Sequence, residues 1–120
     1  MPVLKSIMTF DGGEIENYHP ELAHNFHVQL HLSIGPSGQP GGHDYTLGVC
    51  TPTWLEHAVS AEGRPMWGRH LLIVNSFDAA WVRQSIERRV AGCSGLDWPV
   101  AAERLARYFA WEFEDYSNRA

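Results

Sequence analysis

Long apolar runs are missing from this 120-residue chain, and no stretch approaches the roughly 20 residues that a membrane-spanning helix needs. The N-terminus MPVLKSIMTF has neither a basic leader nor a small-residue cleavage site, so the expected location is the cytoplasm, with no membrane partner. Cysteine is scarce. Cys50 and Cys93 are the two present, and in a reducing compartment such a pair reads as free, buried thiols and not as a bridge. Internal repeats and low-complexity segments do not stand out either, which disfavours a repeat architecture. Positive charge is nearly missing from the first half: between residues 1 and 60, Lys5 alone faces Asp11, Glu14, Glu16, Glu21, Asp44 and Glu56. Residues 61–110 hold seven arginines against five acids. An acidic half of this kind argues against a nucleic-acid partner and for a basic one, with a solvated surface as the plainer alternative.

What is present suits one compact core. With 44% hydrophobic residues, the chain is long enough for a single domain over residues 1–120 and too short for two ordinary ones. VLKSIMTF reads as a first strand. In NFHVQLHLSI, Phe26, Val28, Leu30, Leu32 and Ile34 alternate with His27, Gln29, His31 and Ser33, which is the period of a half-buried strand. The turn formers of GPSGQPGGHD then interrupt the pattern before Tyr45, Leu47 and Val49 resume it, predicting an antiparallel hairpin with a long loop.

Cys50 stands at the end of that second strand, directly before Thr51 and Pro52. Proline suits the first turn of a helix and the threonine hydroxyl can cap it, so a strand-to-helix hinge is expected here, with the helix ending near AEGRP. HLLIVNS reads as a central strand covered on both faces. Asp78 is the expected cap of a second helix, with Ala79, Val82, Ile86 and Val90 on one stripe and Gly92 at its end. Asp97 caps a third, in which Ala101, Leu105 and Tyr108 or Phe109 face inward. The tail WEFEDY is expected to be extended, because its acids would sit badly at a helix carboxyl end. Trp111 and Phe113 then point in, and Glu112, Glu114 and Tyr116 out. The fold class is α+β: an antiparallel sheet of about four strands packed against two or three helices.

Signs of chemistry are sparse. A thiol nucleophile at Cys50 needs a base within hydrogen-bond reach and a third group to orient it. His57 is the nearest candidate base in sequence, and no third group is identifiable. His27 and His31 share a strand face but lie roughly 13 Å apart at about 3.3 Å per residue, too far for one metal ion. The glycines of IGPSGQPGG feed a strand and lack the Gly-Lys-Ser/Thr of a phosphate loop, and FDGGE lacks the oxygen spacing of a calcium loop. Arg83, Arg88, Arg89, Arg104 and Arg107 form no clear nucleic-acid strip, since Glu87 lies four residues after Arg83 and Glu103 four before Arg107, spacings that suit paired helix faces.

A succession of segments carries a resemblance: a strand ending IGPSG, then YTLGVCTPTWL, GRHLLIV, WPVAAERL and WEFEDY, preceded by ENYHPELAHNF. In order and spacing, from Phe26 to Tyr116, it resembles the family-eight immunity proteins of bacterial polymorphic toxin systems. The resemblance implies a small cytoplasmic protein that binds and neutralises a cognate toxin, and it supplies no catalytic residue, metal or cofactor. The expected function is therefore stoichiometric, non-enzymatic inhibition of a protein toxin. Against a basic nuclease, acids and aromatic anchors are the residue types to look for. Two clusters qualify: Glu112, Glu114 and Tyr116, and, with the same alternate spacing, Glu14, Glu16 and Tyr18. The competing reading is a small thiol- or metal-dependent enzyme using Cys50 and nearby histidines.

Overall fold

A computed structural model describes residues 1–95 and 97–112. Strands β1 (Pro2–Thr9), β2 (His27–Pro36) and β3 (His43–Cys50) form an antiparallel meander, with a 3-10 turn at Ile15–Asn17 in the first connection. Helix α1 (Pro52–Glu62) then leads to β4 (Leu71–Ile73), α2 (Ala79–Ala91), α3 (Trp98–Leu105) and β5 (Ala110–Trp111). This is the expected α+β architecture.

Sequence alternation sets the sheet register. Leu30 opposes Leu47 and Val28 opposes Val49 across β2 and β3, so their side chains share one face. That face meets the stripe of α2, where Val82, Ile86 and Val90 are buried, and Leu105 and Phe109 from the α3 end complete one contiguous core. Burying each such aliphatic side chain contributes about 1.5–3 kcal/mol. Trp111, the last residue of β5, packs against this core while Glu112 is exposed. Phe113, Glu114 and Tyr116 lie outside the described residues.

The outer edge of β3 departs from expectation. HLLIV does not supply a central, doubly covered strand. β4 keeps three residues, runs parallel to β3 opposite Gly48, Val49 and Cys50, and ends the strand order, with Ile73 54% exposed. A run of apolar residues cannot distinguish an edge from a centre, and here Val74 and Phe77 leave the strand to pack on the core from the following loop. β5 pairs with Tyr45 and Thr46, further back along β3. Because β2 occupies the other side of β3, β4 and β5 share one edge end to end. Gly48 makes the approach of β4 possible, since a Cβ there would stand 2.8 Å from Leu71 Cδ2.

Candidate functional site

The hinge after β3 is built around a buried hydroxyl. Thr51 Oγ1 accepts from the amide of Trp54, capping α1, and also from the amide of Phe26 at the start of β2, both at 3.3 Å. Cys50 immediately before it is 0% exposed, and burial raises the pKa of its thiol. A raised pKa disfavours the thiolate that nucleophilic chemistry uses. Cys93, also buried, is shifted the same way for the same reason.

The histidines near this hinge disperse. His57 is exposed on α1, whereas His27 stacks on Trp54 with ring centres 4.4 Å apart. Burial in that stack lowers the pKa of His27. His31 is exposed two positions along the face, with the Phe10 ring edge-on at 5.2 Å, and His24 is exposed before β2 begins. Among the described residues, no group of three or more His, Cys, Asp or Glu side chains is placed to hold a metal ion.

The two acid-tyrosine clusters have different surroundings. Glu112 is tied to the β3 edge in both directions: its amide donates to Asp44 O at 3.1 Å, and its Oε1 accepts from Asp44 N at 3.0 Å. With Asp44 exposed beside it, this end of the edge carries two carboxylates. In the other cluster the chain turns as a 3-10 helix, so alternate residues do not share a strand face. Glu14 is exposed, Glu16 holds Arg83 Nε at 2.6 Å, and Tyr18 is half-buried against Phe77 and Phe26. The Arg83 hydrogen bond lowers the Glu16 pKa. Of these six residues, Glu112 is held at the β3 edge beside Asp44, Glu16 is paired with Arg83, Tyr18 joins an aromatic cluster and Glu14 is exposed, while Glu114 and Tyr116 lie outside the described residues.

A cavity of about 510 Å³ lies where β4 and β5 leave a gap along β3. Its walls come from Leu47, the entry to β4, Ser85, Ile86 and Arg89 of α2, and the turn after α3. Three arginines line it: Arg69, Arg89 and Arg107. The spacing of Glu103 and Arg107 suggested an intrahelical pair, but α3 stops at Leu105, which takes Arg107 out of helical register. Among the described residues neither Arg89 nor Arg107 forms an ion pair. One signal was available in the sequence, because Arg89 has no acid three or four residues away on either side. The meeting of Arg89 with Arg107 depends on tertiary topology and had no local signature.

These features describe an α+β domain with sealed thiols and charged groups gathered at one strand edge. Comparison with known families then places it: the chain matches the family model Immunity protein 8 over residues 3–116 and belongs to that family. No curated protein and no solved structure matches it. No helix among the described residues is long and apolar enough to cross a membrane.

Proposed function

We propose that residues 1–120 act as one domain that neutralises a cognate toxin in the cytoplasm by stoichiometric, non-catalytic binding. The observation that carries this reading is the family match across residues 3–116. Inhibition needs a rigid complementary surface and no chemistry. The burial of Cys50 and the dispersal of the histidines favour it over the thiol- or metal-dependent enzyme. For the contact we favour the acidic edge at Asp44 and Glu112, together with Glu114 and Tyr116 that follow in sequence, against a basic toxin such as a nuclease. Opposite fields accelerate encounter, and a tyrosine anchor concentrates binding energy. Glu14, Glu16 and Tyr18 form the second candidate surface, weaker because Arg83 already engages Glu16 and Tyr18 packs inward.

The test pairs the chain with the toxin domain encoded by the neighbouring gene. A one-to-one complex and rescue of growth in cells expressing that toxin are expected, and both should persist in a folded Cys50→Ser protein. Failure of the unmodified chain to bind or protect overturns the proposal. Glu112→Lys with Glu114→Lys should slow association, with the difference shrinking in high salt. Glu14→Lys with Glu16→Lys changes net charge equally at the other cluster. Unchanged rates at low salt for both double variants would remove the acidic-surface assignment and leave the immunity function standing.

A further inference from the structure

We infer that the arginine-lined cavity beside β4 receives a carboxylate side chain of the toxin. The inference rests on the immunity function proposed above and adds a second, oppositely charged contact to it. Its volume of about 510 Å³ falls within the usual size of a ligand pocket, and no carboxylate among the described residues lines it. Arg89 and Arg107 enter from separate elements, α2 and the turn after α3, and form no ion pair among the described residues. The Arg89 guanidinium lies 4.2 Å from the centre of the Tyr108 ring, a stack that holds its planar fork in place while leaving its N–H edge available. A guanidinium fork fixed in this way matches the two oxygens of a carboxylate.

The floor of the cavity is mixed. Leu47, Leu72 and Ile86 give it an apolar base, so an acid entering it would be partly removed from water, where ionic hydrogen bonds strengthen. His70 forms one rim. Its φ of 57° lies in the left-handed region that non-glycine residues rarely occupy. Its Nε2–H donates to Ala106 O at 3.0 Å, tying the entry of β4 to the end of α3. Backbone strain retained beside a cavity fits a preformed site. The cavity is separate from the acidic edge: Leu47 and Asp44 are three residues apart on β3, so their side chains take opposite faces of the sheet.

The test measures the affinity of the neighbouring-gene toxin domain for the full chain and for two variants. Arg89→Gln with Arg107→Gln removes both charges, and Ser85→Glu, on the cavity wall, supplies an internal carboxylate to the same arginines. Each variant that keeps its thermal midpoint should bind the toxin at least tenfold more weakly, and Arg107→Lys, which keeps charge without the fork, should lose less. Wild-type affinity in a folded variant of either kind overturns the inference and leaves the immunity function intact. Absence of binding by the unmodified chain overturns both. Inorganic phosphate serves as the probe for a free oxyanion: saturable binding that the double variant loses, with toxin affinity unmoved, would reassign the cavity to a small anion.

Discussion

Helices α1 and α2 start alike and are held differently. Each has a side-chain cap at its N-terminus, Thr51 for α1 and Asp78 for α2. Yet α2 buries Val82, Ile86 and Val90, whereas α1 buries no side chain. α1 depends instead on its ends: Thr51 and Pro52 at the start, and Gly63 at the finish, where φ is 69° and a side chain would be strained. The Trp54 stack on His27 attaches it to the polar face of β2. The difference shows that a helix can be specified by caps and a crossover connection when tertiary packing contributes little, although short helices alone are marginal.

The largest expected effect lies on the packed side. Ile86→Ala should destabilise the protein by about 3 kcal/mol, since it removes a 2% exposed side chain from the core and leaves a cavity. Leu55→Ala, at a half-buried position in α1, should cost less than about 1 kcal/mol. Denaturant midpoints at constant slope compare the two directly. Equal losses would break the contrast between the helices.

Next in size is the cap of α1. Thr51→Ala should cost about 2 kcal/mol, because it removes the cap and also deprives the buried Phe26 amide of a partner. Thr51→Ser should restore most of that loss. Asp78→Ala removes an exposed cap from a helix that packing already holds, and should cost nearer to about 1 kcal/mol. If the two caps are worth the same, the double role of Thr51 is mistaken.

A smaller effect should appear on acidification and should be local to α1. Burial lowers the pKa of His27 in the fold, so the unfolded or undocked chain binds its proton more readily. The resulting stabilisation is complete above the ordinary histidine value and is lost as pH falls through the folded one. Lowering the pH from 7.5 to 5 should therefore speed amide hydrogen exchange in α1 more than in α2, after correction for the intrinsic rate. His27→Gln should flatten that difference. Uniform change across both helices would detach His27 from the anchoring of α1.

Features set by neighbours in sequence were legible. The alternation in β2 and β3 fixed which face each side chain takes, and Thr51-Pro52 marked the hinge, because pleat and cap are local geometries. Position in the sheet was not legible for β4, since pairing depends on which edge of β3 is free. The Glu14, Glu16 and Tyr18 spacing suggested one aligned face, but a 3-10 turn and the Arg83 contact depend on where α2 lies. The arginine-lined cavity was hidden for the same reason: Arg89 and Arg107 converge only after α3 stops at Leu105 and the chain turns back to pair with β3.

The smallest effect concerns a polar atom on the packed side. Tyr45 is 0% exposed, with the Trp111 ring stacked at 6.2 Å and the Phe109 ring edge-on at 6.4 Å. Its hydroxyl is buried and has no hydrogen-bond partner among the described residues. Burial, with smaller contributions from Cys93 and Glu112, raises the phenol pKa, so the group stays neutral. An unsatisfied hydroxyl costs about 1–3 kcal/mol of desolvation, while deleting it leaves a void smaller than a methyl group and retains the ring contacts. Tyr45→Phe should accordingly leave the denaturant midpoint unchanged or raise stability by up to about 1 kcal/mol. The substitution sharpens the comparison between the helices, because it tests whether the packed side is held by apolar contact alone. A loss above about 1 kcal/mol would show that the hydroxyl has a partner in solution, and that the packed side depends on a polar contact as α1 depends on Thr51.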